Sequence, residues 1–262
     1  MGKDILERIV AHKKHEVQEA QRQRPLSTLQ DRALGRSDSR SFSAALAQPG
    51  EQVRIIAEIK RASPSKGNIC RDLDPAALAR SYERGGAVAL SVLTDEAFFK
   101  GGPADLQAAR NACSLPVLRK DFIISEYQIY ETAAWDADAV LLIVRILSAN
   151  QLAEFLALSA ELGLDALVEV HTAPELETAI KAKADLIGIN NRNLASFDTD
   201  LQTALSMIGK LEPYQIAVAA SGISSRQDIE QNLKAGISRF LIGESLVRAQ
   251  NPQAFVTHLI HG

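Results

Sequence analysis

Eight short apolar runs recur along this chain, each followed by a longer stretch whose apolar residues return every three or four positions. The runs are VRIIAEIK (53–60), AVALSVLT (87–94), LPVLRKD (115–121), AVLLIVRIL (139–147), DALVEV (165–170), DLIGIN (185–190), QIAVAAS (215–221) and SRFLIGE (238–244). All are rich in Val, Ile and Leu and bounded by Gly, Pro, Asp or Asn, as strands buried on both faces of a parallel sheet are. The stretch Asn150–Leu162 has helical spacing, and Thr172 with Glu175 and Ser224 with Gln227 have the spacing of N-terminal capping boxes. Eight strand–helix units of roughly 26 residues each fit a closed α/β architecture, a (β/α)8 TIM barrel. An open doubly wound sheet is the rival, but no GxGxxG or P-loop follows any run. Ahead of the first run the spacing predicts a helix over Lys3–Gln23, then Pro25, a polar stretch DRALGRSDSRS (31–41) and a short helix near Phe42–Ala47. These extra N-terminal helices read as a lid or collar. The expectation is one barrel domain over residues 1–262, with 1–50 as its helical extension.

Composition narrows the partners. A net charge of -3 argues against nucleic acid, which calls for a basic surface, but it leaves room for a local cluster of cations around a small anion. Cys70 and Cys113 lie far apart with no CxxC pair, so both read as reduced thiols in a reducing compartment. The opening MGKDILERIVAHKKHEV mixes charge with apolar residues and lacks the apolar core of a signal peptide. The longest apolar stretch, Ala137–Leu147, is broken by Asp138 and Arg145 and is too short for a bilayer. A cytoplasmic protein with no membrane partner is expected, and a monomer.

In a parallel barrel the site lies at the carboxyl ends of the strands, so polar groups there that a pure core would reject are the ones to weigh. In the first run, period two puts Ile56, Glu58 and Lys60 on one face, opposite Ala57 and Ile59. The carboxylate and ammonium must pair if buried, which is compatible with a purely structural ion pair as well as with a site. Ser63-Pro64-Ser65-Lys66-Gly67 then forms a polar loop suited to cover a ligand. In the third run Lys120 shares its face with Leu118 and can point along the barrel axis, while Arg119 points outward. A shielded lysine can give up a proton near neutrality, although a surface lysine would also fit here. Glu169 shares its face with Leu167 and needs a partner such as Lys120 or Lys60. His171 follows directly and reads as structural. Asn190, Asn191, Arg192 and Asn193 offer donors for a carboxylate or phosphate, or form a plain polar turn. Ser221-Gly222 and Gly243-Glu244-Ser245 end the last two runs, where glycine admits backbone N–H groups to an anion and a short helix from Gly243 aims its positive end at it. A phosphorylated small molecule is therefore the preferred ligand class.

Taken in order, AEIKRASPSKG, SVLTDEAFFKGG, LRKDFIISEYQIYE, LLIVRIL, LVEVH, GINNRNL, ASGI and LIGESL, with the opening ILERIVAHKKHEV, closely resemble the motifs of indole-3-glycerol-phosphate synthases over essentially the whole chain. The resemblance implies a (β/α)8 barrel with extra N-terminal helices and a lyase of tryptophan biosynthesis. It would act on 1-(2-carboxyphenylamino)-1-deoxyribulose 5-phosphate without metal or organic cofactor. By resemblance Lys120 is the general acid, Glu169 handles a proton in the later dehydration, and Glu58 pairs with Lys60, which also holds the substrate carboxylate. Asn190 and Arg192 match polar ligands, and Ser221, Gly222, Gly243 and Ser245 the phosphate cradle. Ser63 and Pro64 match a mobile loop, and Phe99, Phe122, Leu141 and Ile143 an apolar wall around the aromatic ring. The family pattern Glu-Ser-Gly-Ile is here Ala220-Ser221-Gly222-Ile223, so one carboxylate is missing. Two alternatives follow. One is a phosphoribosylanthranilate isomerase, which needs a Cys/Asp pair that Cys70 and Cys113 are poorly placed to supply. The other is a phosphate-binding barrel with weakened or lost catalysis because of Ala220, against which the retention of Lys120 and Glu169 speaks.

Overall fold

The computed structural model describes residues 5–36, 38–47, 53–192 and 202–262. Strands β1 (Arg54–Ile59), β2 (Ala89–Leu93), β3 (Val117–Lys120), β4 (Ala139–Ile143), β5 (Asp165–Val170), β6 (Leu186–Asn190), β7 (Ile216–Ala220) and β8 (Arg239–Ile242) pair in parallel, in chain order. The sheet closes because β1 pairs on both sides: Ile56 lies opposite Ala89 of β2 and Leu241 of β8. All eight strands fall inside the eight apolar runs. The fourth run overshoots its strand, since Val144–Ile146 turns off as a 3-10 segment.

Among the described residues, three helices precede the barrel: α1 (Ile5–Gln23), α2 (Leu26–Leu34) and α3 (Phe42–Ala47). The others are α4 (Pro75–Gly85), α5 (Glu96–Phe99), α6 (Pro103–Ala112), α7 (Glu126–Ala134), α8 (Ala149–Glu161) and α9 (Ala173–Lys181), followed by α10 (Gln202–Met207), α11 (Arg226–Leu233), α12 (Glu244–Arg248) and α13 (Pro252–His261). Among the described residues no helix is long and apolar enough to cross a membrane.

Period two sorts each strand between two cores. In β1, Ile55, Ala57 and Ile59 pack into the layer between barrel and helices, whereas Ile56 packs inside the barrel with Leu118, Leu141, Leu167, Val218 and Leu241. Phe42 and Leu46 of α3 join the interior cluster and are fully buried. The Ser43 N–H donates to the carboxylate of Asp165 at 2.8 Å, at the first residue of β5. Helix α3 therefore plugs the amino end of the barrel and leaves the carboxyl end for a site.

Helix α2 occupies ground that reads as polar loop in sequence. Leu29 and Ala33 give it a buried face, and Leu29 meets Val17, Tyr127 and Ala134 in a satellite cluster against α7. The Tyr127 hydroxyl donates toward the carbonyls of Ala20 (2.9 Å) and Arg24 (3.0 Å) and fastens the α1–α2 corner. Two caps also differ from their sequence reading. Ser225 caps α11, one residue later than expected, in a capping box with Asp228. Thr172 does cap α9, but the Glu175 carboxylate accepts from the His171 N–H at 2.6 Å.

Candidate active site

The carboxyl ends of the strands open into a cavity of about 400 Å³, the size range of small-molecule sites. Every residue that the resemblance assigns to the site lines it. The inward face of β1 brings Glu58 and Lys60, which form an ion pair. Burial pushes the Glu58 carboxyl up, but the charges of Lys60, Lys120 and Arg192 outweigh it and hold Glu58 below the usual carboxylate range. Glu58 is thus ionised, and Lys60 is steered by it. Gly243 stands directly over this pair. A Cβ there would collide with the Glu58 carboxylate and lie 3.0 Å from Lys60 Nζ, so the close approach requires glycine.

Lys120, the last residue of β3, points inward as period two requires, and its Nζ lies 3.8 Å from Glu169 Oε2 on β5. Arg119 points the other way. It is fully buried among Asp121, Glu131 and the face of Trp135, whose centre lies 4.0 Å from the guanidinium carbon. His171 does not line the cavity. It sits behind Glu169, with Nε2 3.6 Å from Glu169 Oε1 and Nδ1 3.5 Å from Glu175 Oε2, the structural placement its sequence position suggests. Arg145 completes that row by pairing with Glu175 at 3.0 Å.

The far side of the cavity is built from backbone. Ser221 (φ 67°) and Gly222 (φ 83°) stand consecutively in the left-handed region. Such a conformation is strained for serine, and both residues line the cavity, where glycine leaves the backbone open to a bound anion. Asn191 holds the turn from behind: its amide donates to the Ser221 carbonyl (3.1 Å) and accepts from the Ala204 N–H (3.1 Å). Ser245 donates to the Ile223 carbonyl at 3.2 Å and ties the ends of β7 and β8 together. Asn190 accepts from the Arg192 N–H at 3.0 Å, which fixes the amide over the cavity mouth. Asn191 is therefore a support and not a ligand, and Asn193 lies outside the described residues. The methyl group of Ala220 lines the floor between Asn190 and Leu241, its register partners.

Leu141 and Ile143 of β4 line the apolar side with Phe99 and Phe122, whose rings lie 6.0 Å apart at 38°. Ser63 and Pro64 border the cavity, and the loop expected as a flexible cover is a short antiparallel ribbon, Ala62–Ser63 against Gly67–Asn68. Neither cysteine lines the cavity; both pack against the barrel–helix layer, so the Cys/Asp pair of the isomerase alternative is not assembled there. Sequence reasoning misses Ile5, Leu6 and Ile9 of α1 as site residues, yet they complete the apolar wall. Their signal lies in the stripe Leu6, Ile9, Lys13, Val17, spaced three, four and four, which marks one buried helix face. A cavity lined by Glu58, Lys60, Lys120, Glu169 and Arg192, with an aromatic wall and a backbone seat, can bind a molecule that carries both an aromatic ring and a phosphate and exchange protons with it.

A model of the indole-3-glycerol phosphate synthase family matches residues 6–259. The indole-3-glycerol phosphate synthase of Desulfosudis oleivorans is 54% identical, covering 98% of this chain and 98% of its own. That of Syntrophobacter fumaroxidans is 51% identical, covering 98% and 97%. Among solved structures, the thiamine phosphate pyrophosphorylase from Pyrococcus furiosus superposes with a TM-score of 0.59 at 16% identity, covering 80% of this chain and 94% of that one. This last likeness carries the barrel alone.

Proposed function

The chain belongs to the indole-3-glycerol phosphate synthase family, and from that premise we propose that it closes the indole ring of 1-(2-carboxyphenylamino)-1-deoxyribulose 5-phosphate, releasing carbon dioxide and water. The ring carbon that bears the carboxylate attacks the C2 carbonyl of the ribulose chain. The Lys120 ammonium gives its proton to the oxygen as negative charge develops there, a stabilisation that grows in a shielded cavity. Carbon dioxide then leaves and the ring regains aromaticity. Loss of the new hydroxyl as water needs one group to protonate it and another to take a proton from the neighbouring carbon, and Glu169 is placed for that exchange. Lys60, steered by Glu58, holds the substrate carboxylate, with Asn190 and Arg192 as further polar contacts. The phosphate sits on Ser221, Gly222, Gly243 and Ser245. Phe99, Phe122, Leu141 and Ile143 hold the aryl ring so that ring carbon and carbonyl meet, and Ser63 and Pro64 border the entrance.

The observation that carries this reading is the approach of Lys120 to Glu169 from two strands into one cavity. Their 3.8 Å separation is longer than a tight charged hydrogen bond, which leaves both groups free to engage a substrate atom. The reaction is redox-neutral, and the reading assigns no metal or organic cofactor to it. Two free cysteines that do not pair suit a reducing, cytoplasmic setting. Purified protein given the arylamino-ribulose phosphate should develop indole fluorescence with time; a flat trace at saturating substrate would overturn the proposal.

A further inference from the structure

Lys13 is a fully buried lysine on α1, outside the cavity. Its ammonium contacts three carboxylates: Asp121 at 2.9 Å, Asp95 at 3.1 Å and Glu16 at 2.9 Å. Asp95 and Asp121 are themselves fully buried, and each holds one side of the aromatic wall. Asp95 follows β2 by two residues and caps α5, accepting from the N–H groups of Phe98 (2.7 Å) and Phe99 (3.3 Å). Asp121 follows Lys120 directly and accepts from the Phe122 N–H (2.8 Å), the Thr94 hydroxyl (2.7 Å) and Arg119 (3.0 Å). One cation thus joins the anchors of Phe99 and Phe122. One turn earlier on the same helix, Ile9 lines the cavity. His12 adds an edge-to-face contact with Phe98, 5.6 Å between centres.

An isolated ammonium in this position would lose its charge; burial acts to lower its pKa, but Asp121, Asp95 and Glu16 outweigh burial and hold it above the ordinary lysine range. A hydrophobic side chain on this helix face would pack without needing partners. The fixed charge instead acts directionally and sets where α1 sits over the strand ends.

We infer that Lys13 is a positioning residue that clasps α1 to the ends of β2 and β3 and thereby sets the apolar wall formed by Phe99, Phe122 and Ile9 against the bound aryl ring. The inference rests on the ring-closure reading for what the wall binds. The anion seat on β7 and β8 makes none of these contacts, so the clasp should affect the aryl end of the substrate and not its phosphate.

The decisive comparison is Lys13→Met against the charge-balanced pair Lys13→Met/Asp95→Asn, in which Asp121 keeps Arg119 and Thr94 and the amide oxygen at 95 can still cap α5. Both should raise KM for the arylamino-ribulose phosphate by about tenfold, with a smaller fall in kcat, because ring placement is lost while Lys120 stays on its strand. The inhibition constant of inorganic phosphate should not change. Hydrogen exchange should quicken in the amides of α1 and stay unchanged in α8. Unchanged KM in folded variants, a phosphate constant that rises with KM, or α1 protection equal to wild type would each overturn the inference. So would failure of the charge-balanced variant to fold, which would place Lys13 in the core and not in service of the site. A wild-type protein that turns nothing over would sink the ring-closure reading, while the exchange measurement would still decide the clasp.

Discussion

At the scale of single residues, what the site demands is visible wherever a charged residue interrupts a buried strand. Glu58, Lys120 and Glu169 stand at inward positions of strands rich in Val, Ile and Leu, and a charge there has to be paired or used. Gly243 is legible only in part: the sequence suggests an anion seat, whereas the structure adds that its missing Cβ makes room for Glu58 and Lys60. Gly243→Ala should therefore push that pair aside and lower kcat/KM by roughly 10- to 100-fold without unfolding the chain, since the added Cβ meets only the ends of two side chains at the cavity. Wild-type kinetics in this variant would show that the pair tolerates displacement. The row behind Glu169 makes a separate prediction about pH. Burial pushes the Glu175 carboxyl up, but the side chain and N–H of His171 and the Arg145 guanidinium outweigh it and hold it at about 2, against an ordinary 4.5. A carboxyl depressed on folding stabilises the protein above its unfolded value, and that contribution drains away as pH falls from 4.5 toward about 2. Glu175→Gln should flatten the acid limb of stability in that window, read by urea unfolding at successive pH values; an unaltered limb would contradict the pairing.

At the scale of elements, strands are easier to read than helix ends. A buried parallel strand writes itself as an unbroken apolar run, so β1 to β8 stand out. Helix ends are set by which hydroxyl reaches which N–H, and Ser224 and Ser225 cannot be told apart by spacing alone; the backbone gives the cap to Ser225. Helix α2 is hidden in the sequence because Pro25 and the charged residues after it resemble a loop. Its reason to be helical is tertiary: Leu29 fits between α1 and α7. Leu29→Ala should cost about 2–5 kcal/mol by leaving a cavity at that junction, visible as a lower urea midpoint with an unchanged slope. A loss of only a few tenths would mean that α2 is not held there.

At the scale of the whole molecule, the repetition of eight units is plain in the sequence, but closure is not, since nothing local distinguishes a closed sheet from an open one. It appears only in the register, where Ile56 meets Ala89 on one side and Leu241 on the other. Closure is what brings β3 and β5 to face a common interior and lets residues far apart in the chain share one cavity. The same distance explains why the stripe of Lys13 and its neighbours on α1 shows a buried helix face but not what it faces: the partners of Lys13 lie at the ends of β2 and β3, and no short-range pattern announces a helix that folds back over the barrel mouth. Plug at one end, site at the other, and the wall residues of α1 at the cavity make one device for holding an arylamino sugar phosphate.

Whether Lys120 supplies the proton for ring closure is decided by single-turnover indole fluorescence of Lys120→Ala beside wild type. The rate of the first turnover should fall by about 10²- to 10⁴-fold while substrate affinity changes little. A first turnover as fast as wild type's would contradict that role.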